Sequence, residues 1–115
     1  MSASPEFVEY IKELFGSSLG ALKGSKFFGG FAFKSGSKQF AMIMDNTLYF
    51  CVNDKTRPKY EALGMESFSY ATQKRRVNVK KYYSAPEDLF EDNEKLIAWA
   101  KEAIESAYTG VERVA

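Results

Sequence analysis

Lys26-Phe27-Phe28-Gly29-Gly30-Phe31-Ala32-Phe33 opens the run of short aromatic segments that decides the fold class of this 115-residue chain. The run continues as Gln39-Phe40-Ala41-Met42-Ile43 and then as Asn46-Thr47-Leu48-Tyr49-Phe50-Cys51-Val52. Aromatic and β-branched residues at this density fit a pleated, half-buried surface. The spacing predicts strands over 27–34, 38–44 and 47–52. Ser35-Gly36-Ser37 reads as a short hairpin loop, and Asp45-Asn46 turns the chain because both residues tolerate left-handed backbone angles. Three strands joined this tightly make an antiparallel meander.

Towards the N-terminus, Ser4 before Pro5 is a helix start, since serine caps and proline is tolerated at the first helical position. Phe7, Val8, Ile11, Leu14 and Phe15 then share one helical face, and Gly16 is a natural stop. Residues 17–25, with Gly20 and Gly24, are expected to form a loop that drops Leu19 and Leu22 into the core. Beyond the meander, Asn53 to Thr56 offers caps for a short helix holding Pro58, Tyr60, Ala62 and Leu63, closed by Gly64. Strands are expected over 67–71 and 76–82 around a solvated Thr72-Gln73-Lys74-Arg75 turn. Ser84 to Asp88 begins another helical turn.

Asp92 caps the last helix, whose face is lined by Leu96, Ile97, Ala100, Ala103, Ile104 and Ala107, with Trp99 and Tyr108 flanking. Residues 110–115 are expected to fray. The predicted order is α-β-β-β-α-β-β-α, an α+β fold in which helices pack on a mostly antiparallel sheet of five strands.

Composition narrows the function classes. The length suits a single domain over residues 1–115 with a real core. Net charge is +1, but thirteen of the sixteen basic residues precede Tyr82, against seven of the fifteen acidic ones. A single cysteine excludes an internal disulfide, and no apolar run approaches a membrane span or a signal peptide, so cytoplasmic residence is the expectation. There is no histidine. Imidazole is therefore absent as base, nucleophile partner or metal ligand.

Candidate sites compete with plainer structural readings. The Gly29-Gly30 pair opens a strand instead of joining a strand to a helix, so a bulge or a close approach of backbone explains it better than a phosphate cradle. Its aromatic neighbours are expected in the core. The basic residues Lys55, Arg57, Lys59, Lys74, Arg75, Arg76, Lys80 and Lys81 could contact nucleic-acid phosphates, with tyrosines interleaved. A solvated hairpin whose cations protect an edge strand is the plainer account. Cys51, between Phe50 and Val52, reads as a small buried residue with no base to activate it. Glu87, Asp88, Glu91, Asp92 and Glu94 lack calcium-loop spacing and suit helix starts. Tyr82 and Tyr83 before Pro86 fit a recognition surface and a strand-ending pin equally well.

The ordered succession Phe28-Gly29-Gly30-Phe31-Ala32-Phe33, Phe40-Ala41-Met42-Ile43, Leu48-Tyr49-Phe50, Tyr60-Glu61-Ala62-Leu63-Gly64, Phe68-Ser69-Tyr70, Val79, Tyr82-Tyr83-Ser84-Ala85-Pro86 and Trp99-Ala100-Lys101-Glu102-Ala103 resembles the N-terminal domain of the TfoX (Sxy) family over about residues 6–108. The resemblance implies a small α+β domain similar to secretion-chaperone-like domains. It also implies a bacterial, non-enzymatic regulator of DNA uptake and competence, acting with a cyclic-AMP-responsive activator. No cofactor and no catalytic residue come with it. Two departures stand out. Longer members carry a second, C-terminal domain, so a stand-alone single-domain member is expected here, and Phe27 stands where the family often has methionine.

Two functional readings follow: a module working through protein–protein contacts with a transcription activator or another protein, and a DNA-binding accessory protein using the basic hairpin. In both, the contact residues would be Lys55, Arg57, Lys59, Lys74, Arg75, Arg76, Lys80, Lys81, Tyr82 and Tyr83. An enzyme or small-molecule binder ranks third. Monomer and homodimer, the latter through an exposed edge strand, both stay open.

Overall fold

The computed structural model describes residues 3–114, with side chains through Tyr108. Helix α1 spans Pro5–Phe15, and the Ser4 hydroxyl accepts from the Phe7 amide at its start. Gly16 ends it with φ of 54°. Six strands follow: β1 Leu22–Phe27, β2 Gly30–Ser35, β3 Lys38–Met44, β4 Thr47–Cys51, β5 Ser67–Ala71 and β6 Arg76–Ser84. Helix α2, Arg57–Ala62, lies between β4 and β5; a 3₁₀ turn at Glu87–Glu91 precedes the long helix α3, Asn93–Val114.

All strands pair antiparallel in the order β1-β2-β3-β4-β6-β5, an α+β sheet of six strands where five were expected. The sixth is β1, within the segment expected to be a loop. Its sequence is Leu-Lys-Gly-Ser-Lys-Phe, largely exposed at the sheet edge, so no apolar alternation marks it. Leu19 and Leu22 nevertheless pack against the core as expected. The residues expected to fray continue the helical backbone of α3 as far as Val114; Ala115 lies outside the described residues.

Adding β1 also redraws the opening stretch. Phe27 ends β1 and Gly30 begins β2, paired directly across the sheet, so Phe28-Gly29 is the two-residue turn between them. Both turn residues have positive φ, 47° and 83°, the geometry of a type I′ hairpin. Asn-Gly is the usual signal for that turn, and phenylalanine in its place hid it.

The glycine next door has the structural role expected of it. A Cβ on Gly30 would run into the carbonyl oxygen of Ile43 and the Met44 Sδ. Only hydrogen fits where β2 and β3 approach.

A bulge in β3 sorts the sheet's two faces. Phe33 pairs with Ala41 and Lys34 with Gln39, which leaves Phe40 without an opposite residue. Phe40 and Ala41 are thereby both buried on the helix side. That side holds the main core: Phe15 packs edge-on against Phe33 at 5.2 Å, and Phe33, Phe40, Ile43, Leu48 and Phe50 meet Leu96, Ala100 and Ala103 of α3. Trp99 also packs in the core, its ring 4.9 Å from that of Tyr60. No described helix is long and apolar enough to cross a membrane.

Candidate functional site

Among the described residues, no helix covers the central strands on the face of the sheet opposite this core. Met42 and Met44 of β3, Phe68 and Tyr70 of β5, and Val79 and Tyr82 of β6 line an open apolar groove there, closed at one end by Phe27 and Phe28. Its volume is about 550 Å³. The register of β5 against β6 is irregular beside the groove: Ser67 pairs with Tyr83, yet the next residue, Phe68, pairs with Val79, which leaves residues 80–82 of β6 without partners in β5. Phe68 thereby reaches Tyr49 of β4, rings edge-on at 5.4 Å.

Phe28 is the most telling residue of the groove. The aromatics of the opening stretch were expected in the core, and Phe28 is 83% exposed, its ring 4.7 Å from that of Phe27. A bulky side chain at positive φ is unfavourable, and exposing that ring to water forgoes the benefit of burial. Neither stability nor packing accounts for it. Tyr70, across the groove, is 46% exposed.

The residues singled out in the sequence scatter around this groove. Alternation along β6 separates the tyrosine pair. Tyr82 lines the groove and donates its hydroxyl to the Gln39 carbonyl at 3.1 Å, while Tyr83 is buried on the other side and donates to a Glu61 carboxylate oxygen at 2.8 Å. Burial raises the pKa of both phenols, so both stay protonated donors. The strand-ending pin describes Tyr83, and the groove claims Tyr82.

The basic residues likewise divide. Lys59 is bound to Glu102 at 2.7 Å and lies 4.0 Å over the Trp99 ring, which ties α2 to α3. Arg57 donates to the Lys80 carbonyl and to Asp54. Arg76 donates to the Ser69 hydroxyl on the far face of the β5–β6 hairpin. Lys55, Lys74, Arg75, Lys80 and Lys81 are exposed. Of these, Lys74 and Arg75 occupy the hairpin tip, held by Thr72, whose hydroxyl accepts from both their amides.

Cys51 is buried, and loss of water around it pushes its thiol up to about 11, with Lys81 pulling weakly the other way. A thiol held protonated is a poor nucleophile. The carboxylates near α3 serve as helix starts: Asp92 accepts from the Lys95 amide, and Glu87 and Asp88 sit in the first turn of the 3₁₀ segment. Among the described residues no three His, Cys, Asp or Glu side chains cluster as metal ligands would.

A helix-backed, open antiparallel sheet of this kind defines a class of small α+β domains. Over residues 13–107 the chain matches the TfoX N-terminal domain, and it belongs to that family. No curated protein matches it. Of what sequence reasoning missed, Phe28 had only a weak signal, the glycine after it, because β1 before the turn carries no apolar pattern.

Proposed function

We propose that this domain is a non-enzymatic binding module that docks an apolar segment of a transcription-associated protein in the groove, in the service of transcriptional regulation. The observation that carries the reading is Phe28, a strained and exposed aromatic at the mouth of an otherwise apolar groove. Exposed aromatics beside a preformed apolar cleft are favoured anchors for a partner. The Lys74-Arg75 tip beyond Tyr70 favours a partner segment with an acidic flank. Family membership supports the regulatory setting, and a cyclic-AMP-responsive activator is the first partner to test. The absence of histidine from the sequence and the buried, protonated thiol support a role without catalysis.

The test is titration of the purified domain against such an activator, free and on promoter DNA, with Phe28→Asp and Tyr70→Asp variants. Binding weakened at least about tenfold by either change, roughly the loss of one anchor contact, is the expected result. Unchanged affinity in both variants would remove the groove from the proposal.

A second reading has its own observation. The exposed Lys74-Arg75 tip on a narrow hairpin has the shape to reach into a nucleic-acid groove. Three of the eight basic residues, Arg57, Lys59 and Arg76, are engaged within the domain, however, which leaves five for phosphates. Charge reversal at Arg75 and Arg76 would weaken DNA binding across all sequences if this reading holds. No binding at about 50 mM salt, where phosphate contacts are strong, ends it.

A further inference from the structure

The two edges of the sheet are treated differently. β1 carries Lys23 and Lys26, the charges that commonly blunt an edge strand. β5, the opposite edge, is Ser67-Phe68-Ser69-Tyr70-Ala71, with neither charge nor proline. The Thr72 amide donates to the Arg75 carbonyl at 2.7 Å, which sets the phase of the hairpin. Thr72, Tyr70 and Phe68 therefore turn their backbone groups toward β6, and Ser67, Ser69 and Ala71 turn theirs outward, away from the sheet. The outer side of β5 is an unprotected row of donors and acceptors.

We propose that β5 pairs with β5 of a second copy of this chain, antiparallel and centred on Ser69, to join the two sheets across a two-fold axis. Three features of the strand make it complementary to itself. Centring on Ser69 places Ser69 against Ser69 and Ser67 against Ala71, all residues whose amides and carbonyls point outward. The same register sets Phe68 of each copy against Tyr70 of the other, an aromatic cross-strand pair on the groove face, while small residues meet small residues. Charge is also matched end to end. Glu66 precedes the strand and Lys74 and Arg75 follow it, so reversing direction lays each copy's Glu66 beside the other's basic turn. Parallel pairing loses the charge match, and a shift of one residue sets Ser69 against Tyr70 and Phe68 against Ala71, which loses both the outward backbone match and the aromatic pair.

The consequence is a continuous sheet in which two apolar grooves abut, lined at the junction by Phe68 and Tyr70 of both copies. The pairing stands whether or not the groove docks another protein, because it uses the backbone edge of β5.

Sedimentation velocity and light scattering on the full chain between about 5 and 500 µM test the proposal, since a contact of one short strand corresponds to micromolar affinity. A monomer–dimer equilibrium is expected. Ser69→Pro removes an outward amide without touching the β6 ladder, and should leave a monomer with a wild-type far-UV circular dichroism spectrum. Glu66→Lys and Lys74→Glu should each weaken the dimer at least about fivefold, and the double exchange should restore it, because the pair of charges is swapped and not lost. A chain that stays monomeric throughout the range overturns the proposal. So does a dimer that tolerates both Ser69→Pro and the single charge reversals, which would place the contact elsewhere. A folded Ser69→Pro chain that still dimerises while the charge variants do not would overturn the strand pairing itself.

Discussion

Gly30→Ala adds one carbon at the tightest point of the sheet. The new Cβ would coincide with the Ile43 carbonyl oxygen and press on Met44 Sδ. The methionine is flexible and can turn aside; the carbonyl belongs to β3, whose Ile43 is paired with Phe31 of β2. Relief requires the two strands to separate at the start of their ladder. Overpacking of a core costs roughly 1–3 kcal/mol, and a displaced ladder hydrogen bond adds about 1 kcal/mol. A loss of about 2–4 kcal/mol follows, a large part of the roughly 5–15 kcal/mol a small domain possesses.

Gly64→Ala is the matched control. Nothing lies within 4 Å of its added Cβ, and only its φ of +79° is unfavourable, worth roughly 1–2 kcal/mol. Urea unfolding followed by fluorescence of Trp99, the single tryptophan, reads both variants in one assay. If Gly30→Ala costs no more than Gly64→Ala, close strand approach is not the reason for the second glycine of the Phe-Phe-Gly-Gly stretch, and the argument fails.

Three further outcomes are expected. Phe28→Asn, which places a residue suited to type I′ geometry in the turn, should raise stability by about 0.5–1 kcal/mol while abolishing partner binding; a lower melting temperature would contradict the strain assigned to Phe28. Stability should fall as pH rises from about 9 towards 11, because the Cys51 thiol ionises near 9.0 when unfolded and only at about 11 when buried. The contribution is present below the lower value and lost through the upper one, at most about 2–3 kcal/mol, and Cys51→Ala should flatten that part of the alkaline unfolding curve. Lys59→Met should cost no more than about 1 kcal/mol by thermal melting, since its ion pair is over one-third exposed and its contact with Trp99 is modest; a loss above about 2 kcal/mol would show that α2 depends on it more than surface ion pairs allow.

Where side-chain period and turn chemistry agreed, the residues could be read directly. β3 runs over 38–44 as its aromatic and β-branched content implies, β5 over 67–71, and the Asp45-Asn46 turn has positive φ at both positions. Ser4, Gly16 and Asp92 act at helix ends as their types suggest. β1 was illegible because an exposed edge has no buried side to write an apolar pattern. The groove was illegible for a different reason. It depends on the slip between Ser67 and Phe68, which brings residues of β3, β5 and β6 together with a distant hairpin, and no local pattern encodes a slip. Basic residues drew attention by their density, yet Lys59, Arg57 and Arg76 proved to be held by Glu102, Asp54 and Ser69. The partner of Lys59 lies 43 residues away in sequence, and a charge count cannot show it.

The strand order has a consequence for how the chain is made. β1 to β4 pair with their immediate neighbours and can zip up as they leave the ribosome, because each closing loop is two residues long. Their apolar side is roofed chiefly by α3, however, and Leu96, Ala100 and Ala103 are synthesised last. Until then Phe33, Phe40 and Phe50 stand open on a nascent sheet, and the place beside β4 waits for β6. A ribosome stalled before Asn93 would thus hold a sheet whose sticky side has no cover. The domain's early half should need a chaperone that its finished form does not.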